Sequence, residues 1–375
     1  MILLLFGFIL LQTQTFTFLG LDIPVNPDHL EWAQSTNKIN FSDSQFEEIA
    51  NEFVLDTIVT AGFTDWQKIQ FSIAYSGELF PTNKEKSSQL TYYLWRKWGF
   101  ETERVKTDSG LRVPLISVSQ QLFGLQFYRI SGKKFFDVLK LTQSEKDNGK
   151  IKITLEDKDP DEGTDFRPVT FNLGELPVTG VAKTEKILTW TFKEQTYSTK
   201  VELNRNLSLY YFSLPNIRFQ DALTYRFSPD LLRTLVIPLK AQMKENGLTE
   251  HEKVECIRQL LLQCFPYIDD QVLFGYEHLQ FPEEILLSEG CDCEDRSVFM
   301  FKLVEELTSL KPLLADFPEH VSLLVTAPEG WQGEVYEFGS RYYVYCDPTY
   351  FNAPFGETPE EIRELIPEII DYDEK

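Results

Sequence analysis

Cys293, His320 and Asp347 carry side chains that can work together, and each stands at the edge of its own apolar run. Cys293 lies in Gly290-Cys291-Asp292-Cys293-Glu294-Asp295-Arg296-Ser297, which leads into the apolar stretch Val298-Phe299-Met300-Phe301-Lys302-Leu303-Val304. His320 begins Val321-Ser322-Leu323-Leu324-Val325, and Asp347 ends Arg341-Tyr342-Tyr343-Val344-Tyr345-Cys346 before Pro348-Thr349-Tyr350. The gaps are equal, 320 − 293 = 27 and 347 − 320 = 27 residues. A thiol, an imidazole and a carboxylate in that order suggest a nucleophile, its base and the group that orients the base.

Thiolate is the attacking species, and an ordinary cysteine holds only a few per cent of it at neutral pH. A helix N-terminus favours the anion, an imidazole can take the proton, and a carboxylate fixes the imidazole tautomer. The elements needed for this are readable. Glu294 and Asp295 place acid in a first helical turn, and Val298, Phe301, Leu303 and Val304 give an apolar face. Segments 320–326 and 341–346 are short and rich in β-branched and aromatic residues, so they predict adjacent strands. Gly330, Trp331 and Gly333 supply the turn between them. A cysteine beside an apolar helix is in general a small buried hydrophobe. The ordered trio, not any one member, carries the reading.

These residues resemble the transglutaminase-like cysteine superfamily, whose pattern is a Gly-x-Cys-x-Asp helix start, a His-Val strand and a strand ending in Asp. The matching residues are Cys293-Glu294-Asp295-Arg296-Ser297, His320-Val321 and Asp347-Pro348-Thr349-Tyr350. The stretch from Phe281-Pro282-Glu283-Glu284 to Asp295 is similar to exported bacterial members. The resemblance covers about 225–360. It implies a papain-like α+β core with Cys293 as nucleophile, His320 as base and acid, and Asp347 as orienter. Cys291 stands where the family usually has glycine, which leaves a second thiol as bystander, resolving thiol or disulfide partner. The superfamily contains peptidases, amidases, protein cross-linkers and inactive members, so the reaction stays open.

Composition sets bounds. With 42% hydrophobic and 25% charged residues over 375 positions, the chain is globular and long enough for two or three domains. Aromatics at 14% suggest sheet-rich packing. The net charge, 36 − 58 = −22, argues against nucleic acid and anionic membrane as partners. The Met1–Leu11 stretch is almost wholly apolar and has the length of a signal-peptide core. It predicts export to the periplasm or cell envelope, or an uncleaved anchor extending to Leu21. Membrane contact is expected through this segment alone. The five cysteines, Cys256, Cys264, Cys291, Cys293 and Cys346, leave an odd thiol, consistent with Cys293 kept reduced. Cys291-x-Cys293 lacks the spacing and histidine partners of a zinc knuckle, so neither metal nor organic cofactor is expected.

Four regions follow: 1–20 as leader or anchor, 21–140 as helices plus sheet, 141–224 as a β-sandwich and 225–375 as the catalytic domain. Helices are predicted over 42–62, 84–98, 229–244 and 250–265, and the acidic tail from Pro359 as a solvated helix end. Strands are predicted near 101–107, 112–118, 124–130 and 134–140, then 150–155, 167–172, 187–194, 197–203 and 207–212. The region 21–140 repeats the outline of the catalytic part, and suggests a degenerate copy. Aligned on the glycine turns, Arg112 takes the place of His320 and Lys140 that of Asp347, with no cysteine before them.

The sequence thus predicts an exported cysteine acyl-transfer enzyme acting on a protein or peptide substrate through a thioester, hydrolase rather than cross-linker. The Cys293 backbone N–H is one expected oxyanion donor. Gln271 and Gln280 are candidates for the second. The alternative is a non-catalytic cell-envelope binding module with a vestigial triad.

Overall fold

The computed structural model describes residues 15–25, 29, 33, 43–56, 58–140, 153–156 and 165–371. The expected segment at 1–14 lies outside them, as do the side chains of Phe53, Val54 and Ile58. The architecture is mixed helix and antiparallel sheet. Among the described residues no helix is long and apolar enough to cross a membrane.

The candidate catalytic part is built on one helix and one sheet. The helix Cys293–Leu307 begins at Asp292, whose N–H donates to Asp295 Oδ2 at 3.3 Å. Its residues Val298 to Phe301, Leu303, Val304 and Leu307 are buried, so it is apolar nearly all round and sits inside the core. The sheet runs Tyr336–Phe338, Arg341–Cys346, His320–Thr326, Pro312–Phe317, Glu368–Ile370, all antiparallel. Alternation divides its faces. Leu314, Leu323 and Val325 join the core that holds the helix, while Leu313, Leu324, Tyr343 and Tyr345 form a second cluster on the other face. Among the described residues the acidic tail from Pro359 holds no helix; Glu368–Ile370 pairs with Pro312–Phe317 and extends the sheet. Backbone pairing along an open sheet edge outweighed local helix propensity there.

The N-terminal sheet has the same strand order. It runs Phe127–Ile130, Lys133–Phe136, Arg112–Ser117, Thr102–Thr107, Ile153–Leu155. In both sheets, in chain order, the third strand is followed by the fourth, second, first and fifth. In both, the preceding helix packs on the first two strands: Lys84–Lys97 here, Cys293–Leu307 there. The register moves the expected correspondences. Cys346 pairs with Leu323, and Phe136 pairs with Ile116. The next residue in each case is aspartate, so Asp137, not Lys140, stands where Asp347 does. Both make the same turn: Asp137 Oδ1 accepts the Leu139 N–H at 3.3 Å, and Asp347 Oδ1 accepts the Thr349 N–H at 2.6 Å. Counting back the same three positions from Leu323 and Ile116 sets Val113, not Arg112, opposite His320. Arg112 is bound instead to Glu156 at 2.7 Å and Glu85 at 3.4 Å. Lys84 opens the helix where Cys293 does in the other unit, so neither nucleophile nor base is repeated.

The structure differs from the sequence reading at four further points. Residues 141–224 do not form a sandwich among the described residues; they hold one long hairpin, Lys183–Phe192 with Gln195–Asn204. Residues 207–212 are helical, within Arg205–Phe212, because Asn204 caps them by accepting the Asn206 N–H at 3.2 Å. A helix at Asp65–Leu79 was not anticipated; its capping box is Thr64 with Gln67. Residues 15–20, counted by the sequence reading with the leader or anchor, form part of a hairpin. Thr15–Phe18 pairs with Leu21–Pro24, and Phe18 meets Phe71 edge-on at 5.4 Å.

That hairpin fits closely against the chain at Gly180. A Cβ there would lie 1.9 Å from the Gly20 carbonyl oxygen, and that backbone cannot move aside without shifting the hairpin. Gly180→Ala is expected to cost about 1–3 kcal/mol of stability through overpacking, measured by urea denaturation of the full chain.

Candidate active site

Helix Cys293–Leu307 delivers the thiol at its first residue, where the chain turns out of the bridge between Tyr267 and Cys291. Strand His320–Thr326 delivers the imidazole at its first residue, and Asp347 follows the last residue of the paired strand. The helix is fastened to the histidine strand by Ser297 Oγ, which donates to the Val321 carbonyl at 2.9 Å. Arg296 ties the same helical turn to the aspartate loop: its guanidinium donates to Pro348 O at 3.1 Å and Phe265 O at 2.6 Å.

His320 and Asp347 are joined. His320 Nε2 lies 2.7 Å from Asp347 Oδ2, with Asp347 0% exposed. Burial pushes the Asp347 carboxyl up. The hydrogen bonds from His320, Tyr345 and Thr349 outweigh it and hold the group below the usual carboxylate range. An ionised carboxylate only accepts, so Nε2 donates to it and Nδ1 is the ring nitrogen left for another partner. The Tyr350 ring stands edge-on to the imidazole, with centroids 5.1 Å apart.

Cys293 lies beside this pair but is not bonded to it. Its sulfur faces the Val321 backbone N–H, one residue from His320. Burial, then the Asp347 charge, raises the Tyr350 hydroxyl, whose ring meets the imidazole. The thiol donates to Glu294 Oε2 at 3.1 Å, and among the described residues it makes no hydrogen bond to His320. Burial, followed by the Glu294 charge, pushes the thiol well up, and the Val321 N–H opposes the rise. Cys293 is 8% exposed.

Cys291 is not a matching nucleophile. It is fully buried, with its thiol pushed up to about 12 by burial, and its backbone is held by Pro266 and Ile268. None of the five cysteines is joined in a disulfide. The amides proposed as oxyanion donors are spent. Gln280 Nε2 donates to Gly290 O at 3.1 Å and Asp295 Oδ2 at 3.0 Å, and Gln271 Nε2 donates to Glu277 Oε1 at 3.2 Å. Gln280 therefore braces the loop that carries Cys293. Arg296, Asp295 and Tyr345 are functional supports that the sequence reading passed over. The signal for Arg296 and Asp295 was a charged pair at the start of a helix otherwise apolar enough to be buried.

A carboxylate held low in the fold stabilises the fold above the ordinary carboxylate range, near pH 4. That contribution is lost as the pH falls through the depressed folded value. Asp347→Asn should therefore lower stability at pH 7 by about 1–3 kcal/mol. The gap from wild type should close as the pH drops below about 4, followed by thermal unfolding at stepped pH. Comparison with known proteins returns no matching family model, curated protein or solved structure.

Proposed function

We propose that the chain is a cysteine acyl-transfer enzyme of the transglutaminase-like kind, with a papain-like core, acting on a peptide or amide bond. The observation that carries this reading is the buried His320–Asp347 pair, one residue from the backbone N–H that faces the Cys293 sulfur. Free imidazole Nδ1 is the acceptor for the thiol proton.

The reaction requires the thiol to turn from Glu294 toward Nδ1, a change between staggered side-chain wells. The sulfur then bonds to the carbonyl carbon as His320 takes its proton. The oxyanion forms near the Cys293 backbone N–H, at the positive end of the helix. His320 returns the proton to the departing amine, the C–N bond breaks and a thioester remains. Water attacks next, giving one proton to His320, and the thiol is regenerated as the carboxylic acid leaves. A water acceptor needs no amine site, which favours hydrolysis over cross-linking. The apolar start of the chain supports export to the periplasm or envelope, and the net charge of −22 supports a protein or peptide partner over nucleic acid.

The bond from the thiol to Glu294 favours a second reading, a non-catalytic binding module with a resting triad. Alkylation separates the two. On the enzyme reading, iodoacetamide at pH 7 labels Cys293 ahead of Cys256, Cys264, Cys291 and Cys346, and His320→Ala slows the labelling by about tenfold or more. In a peptide-library screen, His320→Ala should lower turnover by about 10²–10⁴-fold, and Cys293→Ala should abolish it. Labelling of Cys293 that ignores His320, with no turnover, would favour the binding module.

A further inference from the structure

A cleft of about 460 Å³ opens beside the thiol and is built from both halves of the chain. Glu294, which accepts the Cys293 thiol, lines it. One wall comes from the short pairing of Leu122–Phe123, in the N-terminal region, with Asn216–Ile217. Phe123, Ile217, Phe219 and Leu279 are its apolar lining, and Phe123 is 50% exposed. The acidic lining comes from the sheet and helix that carry the candidate triad. Asp316 and Glu368 are opposite each other on the paired strands Pro312–Phe317 and Glu368–Ile370. Alternation puts Asp316 on the face of Leu314, toward the helix, and Asp316 is also paired with Val321, whose N–H faces the Cys293 sulfur. Among the described residues none of Glu294, Asp316 and Glu368 is bonded to a cationic side chain. The basic residue of the lining, Arg218, is held by Asp221 at 3.0 Å. Burial pushes the Asp316 carboxyl up, and the Glu368 and Glu294 charges add to the rise. An oxygen of Asp292 lies within 4.8 Å of one of Glu294, and Asp292 Oδ1 is buried without a hydrogen-bond partner. Negative charge is therefore gathered here with no counter-charge from the chain itself.

We propose that this cleft is a substrate subsite for a basic side chain, lysine or arginine, flanking the amide that Cys293 attacks. The proposal rests on the acyl-transfer reading for the amide and adds the class of peptide. A lysine or arginine side chain joins an apolar stem to a cationic head. The stem lies against Phe123, Ile217, Phe219 and Leu279, and the head meets Glu294, Asp316 and Glu368. A neutral chain of the same length satisfies only the apolar part, and an acidic one meets like charge. Inside a cleft the attraction is screened less than on open surface. The net charge of −22 draws basic peptides from a distance, but only a shaped subsite distinguishes one position in such a peptide from another. Phe123 belongs to the region that repeats the outline of the catalytic part without its nucleophile. That region thereby gains a role, as one wall of the substrate site.

The test is fluorescence anisotropy of labelled, end-blocked heptapeptides binding to the full-length Cys293→Ala chain, in which no turnover occurs. The central residue is lysine, arginine, norleucine or glutamate in otherwise identical peptides. The lysine and arginine peptides should bind about tenfold or more tighter than the norleucine peptide, and the glutamate peptide weakest. In the same background, Asp316→Asn and Glu368→Gln should each cut that preference by about threefold or more. Glu329→Gln removes the same charge from an exposed loop outside the cleft and should leave the preference unchanged. Phe123→Ala should weaken the lysine and norleucine peptides alike, by about threefold or more. Thermal unfolding checks that each variant is folded, and Glu368, being exposed, decides the matter if Asp316→Asn is not. Equal binding of the lysine, arginine and norleucine peptides, or a preference reduced alike by Glu368→Gln and Glu329→Gln, overturns the proposal. A basic preference in binding with no turnover by the wild type supports the occupant of the cleft and counts against the acyl-transfer reading. Turnover by the wild type with no such preference overturns the subsite alone.

Discussion

A carboxylate removed from water stays ionised only if donors replace the water, and Asp347 collects four: His320 Nε2, the Tyr345 hydroxyl and the N–H groups of Thr349 and Tyr350. That requirement organises the site. Tyr345 can reach because it lies two residues back on the same strand, on the face opposite the helix. The backbone donors come from the turn after the strand. The imidazole arrives from the neighbouring strand, whose pairing with Arg341–Cys346 sets its height. Slipping that register by one residue would put His320 on the wrong side of the sheet. The buried charge therefore fixes the strand pair, and the strand pair fixes where the helix must present Cys293.

The opposing constraint is the acidic ring around the thiol. Glu294 accepts from Cys293, and Asp292 is pushed up to about 9 by burial, then by Glu294 and Asp270. A helix N-terminus with this many carboxylates is not by itself a place for a thiolate. The same residues that begin the helix Cys293–Leu307 thus favour the protonated Cys293 thiol. The site combines a bonded imidazole–carboxylate pair with a thiol bonded to its own acidic neighbour.

Much of this was legible in the residue order. The three candidate residues fell at element edges because the apolar runs that follow or precede them are the elements, and 320–326 and 341–346 form adjacent strands as their β-branched and aromatic content predicts. The repeated outline of the two halves was also readable, and the shared strand order supports a degenerate copy. Its residue matching was not readable, because Cys346 lies 346 − 323 = 23 residues after its strand partner Leu323, whereas Phe136 lies only 136 − 116 = 20 after its partner Ile116. Counting along the chain therefore overshoots Asp137 and lands on Lys140. The missed helix Asp65–Leu79 has polar residues buried by tertiary bonds, such as Gln67 to the Val178 backbone, which no period reveals. The thiol's partner was likewise beyond periodicity, since Glu294 next in sequence offered no sign that it would turn back to Cys293.

The central claim is that Cys293 becomes acylated through His320, and mass spectrometry of an acyl-enzyme tests it most directly. The folded chain is treated with an activated ester, quenched in acid and digested. The account predicts one hydroxylamine-labile acyl adduct on the peptide carrying Cys293, formed by wild type and lost in His320→Ala. An adduct that forms equally without His320, or none on Cys293 in the folded wild type, would contradict it.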